Sequence, residues 1–139
     1  MKSISFTVPG PPKGKGRPRF SKFGAYTPAA TKKYEKYMQA CFHEQCSEHI
    51  MIDEAMIVHI VAHFPIPKSY TKKKKTAIAN GQLLPTKKPD IDNIVKCIDA
   101  LNGIAWVDDS SIVRIIASKE YSHEPRLDIR IEWEITSER

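Results

Sequence analysis

Apolar residues occupy every second position along three of the four segments that are predicted to be β-strands, and this period is typical of half-buried strands. In the last of them, one face is formed by Leu127, Ile129, Ile131, Trp133 and Ile135. The four predicted strands cover residues 3–8, 56–64, 112–121 and 127–135. His123-Glu124-Pro125 lies between the last two and predicts a hairpin turn that pairs them.

Three further segments have the apolar spacing and the end signals of helices. Thr27-Pro28 begins the first, with threonine as N-cap and proline at the first helical position. Ser69 is expected to cap the second, and Asn102-Gly103 ends the third. The predicted helices cover residues 27–49, 69–80 and 92–101.

Residues 10–26 are rich in glycine, proline and basic residues, which predicts an irregular loop. The element order is strand, helix, strand, short helix, helix, strand, strand. This order predicts one α+β domain over residues 1–139, with a mixed β-sheet and helices packed largely on one face.

The carboxylates near the third helix carry the clearest chemical signal. Asp90 and Asp92 are separated by one residue, so in an extended segment both side chains would point the same way and reach one ion. Carboxylates that repel each other are brought together by a hard divalent cation. The competing interpretation is that an aspartate before a helix is simply a cap, but this explains only one of the two.

Asp108-Asp109 follows the same helix after a turn, and one reversal of the chain would return a carboxylate to Asp90 and Asp92. Because adjacent side chains diverge, we expect only one of this pair to bind metal. A polar turn before a strand is the alternative interpretation, and spacing alone does not exclude it.

Lys96 lies four residues after Asp92 and shares its helix face, where it could hold the scissile phosphate or form only a solvated ion pair. Asp99 could support the site, pair with Lys96 or be merely exposed. Mg²⁺ suits this set, since it takes one or two carboxylates, keeps waters and contacts phosphate oxygens. An activated water would then attack the phosphodiester.

The charge distribution favours an anionic partner. The chain has 139 residues, a net charge of +6 and a pI near 9.2. The positive charge falls in two blocks, residues 1–50 and 64–96, and the second runs directly into the carboxylates. The basic residues expected to contact DNA phosphates are Lys13, Lys15, Arg17, Arg19, Lys87 and Lys88. For Lys72–Lys75, phosphate contact and a solvated helix face are equally supported.

Three cysteines, no signal peptide and no apolar run long enough for a membrane favour a cytoplasmic, nucleoid-associated protein. Cys41, His43, Cys46 and His49 superficially suggest a zinc site, but on a helix they spread too widely to share one ion. Trp106 is interpreted as a packing anchor rather than a base-stacking residue.

Four motifs occur together in this chain: Pro9-x-Pro11-Pro12, Asp90-x-Asp92-Asn93-x-x-Lys96, Asp99-Ala100-Leu101 and Trp106-Val107-Asp108-Asp109. In this combination they resemble the RusA family of Holliday junction resolvases, the crossover junction endodeoxyribonucleases. The resemblance covers most of the chain in element order.

The resemblance implies a homodimer that binds four-way DNA junctions in recombination and repair. It implies symmetric nicking of two opposing strands with Mg²⁺, for which Mn²⁺ could substitute. By motif position it implies Asp90, Asp92 and Asp109 as catalytic metal ligands and Lys96 as an essential lysine, with Asp109 preferred to Asp108.

Two alternatives remain open at this point. One is a nuclease that acts on other branched DNA or on RNA. The other is a non-catalytic junction-binding protein whose acidic cluster only caps a helix.

Overall fold

The computed structural model describes residues 1–134 and contains a mixed four-stranded sheet in the order β1-β6-β4-β5. The strands are β1 (Lys2–Pro9), β2 (Arg19–Ser21), β3 (Gly24–Tyr26), β4 (Met56–Pro65), β5 (Ile112–Ser122) and β6 (Arg126–Trp133). The helices are α1 (Ala29–Gln45), α2 (Lys72–Ala79) and α3 (Ile91–Lys96), with short 3₁₀ helices at Cys97–Leu101 and Asp109–Ser111. This arrangement confirms the predicted α+β class. Ile135, which the predicted last strand included, lies outside the described residues.

The apolar face of the sheet forms the core, as the alternation predicts. On β4 the buried apolar side chains are Met56, Val58, Ile60, Ala62 and Phe64. Helix α1 covers this face with Tyr34, Met38, Cys41 and Phe42. Complete burial of a large apolar side chain contributes roughly 1.5–3 kcal/mol, so this layer supplies much of the stability. Gln39 Nε2 donates to the Ala100 carbonyl at 2.8 Å, which joins α1 to the 3₁₀ helix after α3.

The predicted hairpin between the last two strands is wrong. β4 lies between β5 and β6, pairing in parallel with β5 and antiparallel with β6. His123-Glu124-Pro125 therefore carries the chain across the end of β4 rather than into an adjacent strand. Alternation identifies the buried face of a strand and not its neighbours.

The helix boundaries also differ from those predicted. Pro28 rather than Thr27 is the N-cap residue of α1, and its side chain has no group that could accept a capping hydrogen bond. Thr71, not Ser69, caps α2, since its Oγ1 accepts the Lys74 N–H at 3.3 Å. The third predicted helix begins at Ile91 and changes to 3₁₀ geometry after Lys96.

The segment predicted to be an irregular loop contains the β2–β3 hairpin, with Arg19 paired to Tyr26 and Ser21 to Gly24. Its strands have three residues each, too short for a detectable alternation. Gly24 adopts φ +107°, a conformation that other residues rarely take, and this allows the tight turn. Among residues 1–134, no helix combines the length and apolar character needed to cross a membrane.

Candidate active site

The first turn of α3 presents two exposed aspartates. Asp90 is the N-cap residue, in an extended conformation, but its carboxylate makes no capping hydrogen bond. Asp92 already lies within the helix, so the expectation that both side chains project from one extended segment is wrong. The Lys96 ammonium is 3.9 Å from Asp92 Oδ2, and both side chains are largely exposed. The structure thus brings Asp92 and Lys96 together, one turn apart on α3.

Asp108 and Asp109 have different surroundings. Asp108 caps the 3₁₀ helix after it, accepting the Ser110 N–H at 3.3 Å and also the Ser110 hydroxyl, and these bonds lower the pKa of its carboxyl. Asp109 is half-buried, and its Oδ1 accepts the indole N–H of the fully buried Trp106 at 2.6 Å. The Asp109 N–H donates to Asn102 Oδ1 at 3.0 Å. Asp109 is therefore fixed to the residue that ends the helical segment, whereas Asp90 and Asp92 lie at its beginning.

The three predicted metal ligands do not form a ready-made cluster. Within residues 1–134, no three His, Cys, Asp or Glu side chains lie close enough together to hold a metal ion. Mg²⁺ needs only one or two protein carboxylates, because water and substrate phosphate fill its other positions. Asp90 and Asp92 fit that requirement, since both are exposed oxygen donors and Asp90 makes no capping bond. Asp109 as a direct ligand stays a prediction.

The basic loop before β2 is docked against α3. The Asn93 carbonyl accepts the Lys15 N–H at 2.9 Å, and the Lys13 carbonyl accepts the Cys97 thiol at 3.2 Å. Burial raises the pKa of Cys97 to about 12, so the thiol keeps its proton at neutral pH. A Cβ at Gly14 would lie 2.9 Å from Asn93 Cβ, so only glycine allows the loop to approach so closely. These contacts fix the loop beside the aspartates.

Lys15 is the basic residue of this loop whose charge is already paired. Its Nζ lies 3.2 Å from Asp99 Oδ2 and 3.6 Å from Glu35 Oε2. Partial burial acts to lower the pKa of Lys15, but the hydrogen bond to Asp99 and the charges of Glu35 and Asp99 outweigh it and raise this pKa. Lys15 thus connects the loop to α1 and to the 3₁₀ helix Cys97–Leu101. Asp99 pairs with Lys15 rather than with Lys96.

Lys15→Met is expected to lower the free energy of unfolding by about 1 kcal/mol at pH 7, because it removes the ammonium and keeps the aliphatic stem. Since the folded-state pKa of Lys15 is raised, the contribution is complete below the ordinary value of 10.5 and disappears as pH rises through the folded-state pKa. Urea unfolding of both proteins from pH 7 to 11 measures this difference. Lys33→Met, at an exposed position on α1, is the control. A difference that does not change with pH would contradict the ion-pair explanation.

Other predicted phosphate-binding residues line a groove beside Asp90. The groove has a volume of about 680 Å³, and its lining includes Lys13, Arg17, Lys88 and Asp90. The Lys88–Pro89 peptide bond at its edge is cis. Cations and a carboxylate thus line one groove, as a site that holds a phosphodiester beside a metal requires.

Lys87 and Arg19 are not among the residues that line this groove. The Lys87 ammonium is 5.6 Å from the centre of the Tyr121 ring, and its carbonyl accepts Lys119 Nζ at 2.7 Å. Arg19 begins β2 and is exposed. Lys119 was not predicted, because it lies on β5, far along the sequence from the loop that it contacts.

Sequence reasoning also missed Glu35 and Asn102. Glu35 lies on α1 and pairs with Lys15, and no local pattern indicates this contact. Asn102 was interpreted only as a helix end, although its side chain also fixes Asp109. Trp106 is fully buried, which confirms its interpretation as a packing anchor. Its bond to Asp109 adds a positioning role that the sequence does not reveal.

Comparison with known proteins agrees with the fold and the motifs. The family described as "Endodeoxyribonuclease RusA" matches residues 9–132. The chain is also 40% identical over 138 residues to the uncharacterized protein YqaN of Bacillus subtilis (strain 168). That alignment covers 94% of this chain and 96% of YqaN. The chain therefore belongs to the RusA family of endodeoxyribonucleases.

Proposed function

We propose that this protein is a Mg²⁺-dependent endonuclease that resolves four-way DNA junctions during recombination and repair inside the cell. Family membership supports the nuclease activity and DNA as the substrate. The observation that carries the proposal is the first turn of α3, where Asp90 and Asp92 are exposed beside a groove lined by Lys13, Arg17 and Lys88. The combination of oxygen ligands with phosphate-binding cations suits hydrolysis of a phosphodiester.

Each side chain has a distinct part in this proposal. Asp90 and Asp92 would hold the ion, and Asp109 would bind it directly or orient its water ligands. When bound, Mg²⁺ would supply a Lewis acid and an activated water for attack on the phosphorus. Lys96 would contact the scissile phosphate and stabilise the charge that develops on it. Lys13, Arg17 and Lys88 would hold the flanking backbone, and Mn²⁺ could replace Mg²⁺.

We further propose that the protein acts as a homodimer. A four-way junction has two equivalent opposing strands, and two copies related by a two-fold axis would present one site to each. Paired symmetric nicks would leave ends that a ligase can join. A single copy would give one nick per binding event instead.

The test is a cleavage assay on a synthetic mobile four-way junction, with the matched duplex, a flap and an RNA duplex as competing substrates. We expect paired symmetric nicks in the junction with Mg²⁺ or Mn²⁺ and none with EDTA. If the flap or the RNA duplex is cleaved faster than the junction, that molecule and not the junction is the preferred substrate. Tight junction binding with no cleavage in either metal would favour a non-catalytic binding protein.

Lys15 also lines the groove, but its charge is paired, and the salt dependence of junction binding in EDTA can distinguish it from Arg17. Arg17→Met is expected to reduce the slope of log K against log salt by about 0.9, the value for one lost phosphate contact. Lys15→Met should leave the slope nearly unchanged, because two carboxylates already neutralise Lys15. Fluorescence anisotropy from 50 to about 300 mM salt would measure both slopes. Equal changes in the two variants would refute this division of roles.

A further inference from the structure

The β2–β3 hairpin exposes aromatic side chains that have no role in the fold. Phe20 is 82% exposed, Phe23 89% and Tyr26 46%. All six residues of the two strands are exposed, so this hairpin has no core of its own. Burial of a phenylalanine contributes roughly 1.5–3 kcal/mol. Two exposed phenylalanine side chains on one short hairpin therefore indicate a binding surface.

The tip of the hairpin is built to present Phe23. Ser21 pairs with Gly24, which leaves Lys22 and Phe23 as the turn. The Phe23 N–H donates to Ser21 Oγ at 3.2 Å, and the Ser21 hydroxyl donates to the Gly24 carbonyl at 3.3 Å. The positive φ of Gly24 completes the turn. These bonds hold the turn in place, and the phenyl ring of Phe23 is exposed at its tip.

The base of the hairpin is anchored next to the groove that contains Asp90. The Gly16 N–H donates to Thr31 Oγ1 at 2.9 Å, and a Cβ at Gly16 would lie 3.2 Å from Pro28 Cγ. The four residue-to-residue steps from Gly16 to Phe20 can span at most about 14 Å. That length corresponds to about four base-pair steps along one DNA strand. DNA whose phosphate lies in the groove would therefore have its neighbouring bases within reach of the aromatic rings.

The charges around the rings select a polyanion. Arg17, Arg19 and Lys22 flank them, and the first acidic residue of the chain is Glu35. Lys22 Nζ lies 5.1 Å from the centre of the Phe23 ring. A second copy of the same hairpin would be repelled by these cations. Aromatic rings interspersed with cations are instead the combination that binds nucleic-acid bases together with their phosphates.

We propose that Phe20 and Phe23 stack on unpaired or unstacked bases at the branch point of the DNA, while Arg17, Arg19 and Lys22 contact its phosphates. The inference deepens the proposed function, since it takes branched DNA as the ligand. An intact duplex keeps its base faces stacked inside, so only a branch point, a gap or a strand end offers a base to the rings. Through this stacking, the hairpin makes the protein bind junctions in preference to continuous duplex.

The decisive variant is the double substitution Phe20→Ala with Phe23→Ala, assayed in EDTA so that binding is measured without cleavage. The junction carries 2-aminopurine at the branch point, a base whose fluorescence reports stacking. We expect the wild type to change this fluorescence and the variant not to. Junction affinity should fall about 5- to 100-fold per phenylalanine. Affinity for the matched duplex should change less than about twofold, since its bases are not accessible.

Variants at Phe23 in a Phe20→Ala background separate stacking from simple apolar contact. Phe23→Trp keeps a ring and should retain the fluorescence change, whereas Phe23→Leu keeps only the apolar volume and should lose it. Ile50→Ala removes an apolar side chain that is similarly exposed, at 85%, and should behave as the wild type. Equal retention by Phe23→Leu and Phe23→Trp would overturn the stacking proposal.

The remaining outcomes distinguish this inference from the proposed function. If the wild type cleaves junctions and the double variant binds and cleaves them equally well, the inference fails and the proposed function stands. If the wild type changes the branch-point fluorescence but cleaves with neither Mg²⁺ nor Mn²⁺, the proposed function fails and the inference stands. A wild-type dimer that the double substitution converts to monomers in sedimentation would assign the hairpin to a protein interface and overturn the inference.

Discussion

Asp92→Asn is expected to lower the rate of junction cleavage at least about 100-fold, because the loss of a metal ligand removes several kcal/mol of transition-state stabilisation. Junction affinity in EDTA should stay within about threefold, since asparagine has nearly the same shape and only the charge is lost. The ion pair with Lys96 is exposed and worth only tenths of a kcal/mol, so the free energy of unfolding should hardly change. Single-turnover cleavage and urea unfolding on the same preparations would measure these effects.

This substitution separates catalysis from helix capping. Asparagine is as good an N-cap as aspartate, so the parallel variant Asp90→Asn would preserve any capping role at that position. If the carboxylates serve only the helix, both variants should cleave as the wild type does. Glu48→Gln, at an exposed carboxylate outside the groove lining, is the matched control and should retain full activity. Full cleavage by Asp92→Asn and by Asp90→Asn would refute the site assignment.

Trp106→Ala is expected to lower the free energy of unfolding by about 3–5 kcal/mol, the usual cost of deleting a large buried aromatic side chain. Trp106 is fully buried in the core. Trp106→Phe keeps most of this packing, so we expect a loss of about 1–2 kcal/mol from the smaller ring and the missing indole N–H. Urea unfolding would measure both. Val107→Ala, at a half-exposed neighbour, should stay within about 0.5 kcal/mol.

Trp106→Phe also tests whether Asp109 is positioned by the core. Without the indole N–H, the Asp109 carboxylate loses the 2.6 Å bond that fixes its orientation. We expect slower cleavage and a higher Mg²⁺ concentration for half-maximal activity, at temperatures where the variant is fully folded. An unchanged Mg²⁺ dependence would show that this bond serves stability alone.

Most of the fold could be predicted from the sequence, because its signals are local. Clean alternation in β1, β4 and β6 identifies the strands and the buried face of each. The start of α3 near Asp90 follows from its polar residues and the apolar residues after them. Strand order could not be predicted in this way. The periodicity of β5 and β6 is the same whether the two strands pair with each other or both pair with β4, as they do.

The candidate site was predicted in its residue types but not in its contacts. Asp90, Asp92 and Lys96 lie within about two turns of one helix, so their spacing in sequence is informative. Lys15 and Glu35 are brought together only by the docking of the loop on α1, and their pairing changes Lys15 from a free cation to a structural one. Asp108 and Asp109 are neighbours in sequence, but one caps a 3₁₀ helix and the other binds an indole. Such differences depend on tertiary packing.

The strand order has a consequence for how the protein is made. Among residues 1–134, β6 is the last strand in sequence, yet it lies between β1 and β4 and is the only one of these strands that pairs with β1. A nascent chain that has emerged from the ribosome only as far as β5 can pair β4 with β5, but it leaves β1 and one side of β4 without partners. Unpaired strand edges of this kind favour association with other chains. The sheet can therefore close only after synthesis has passed Trp133, and until then β1 and one edge of β4 are open to pairing with strands of other chains.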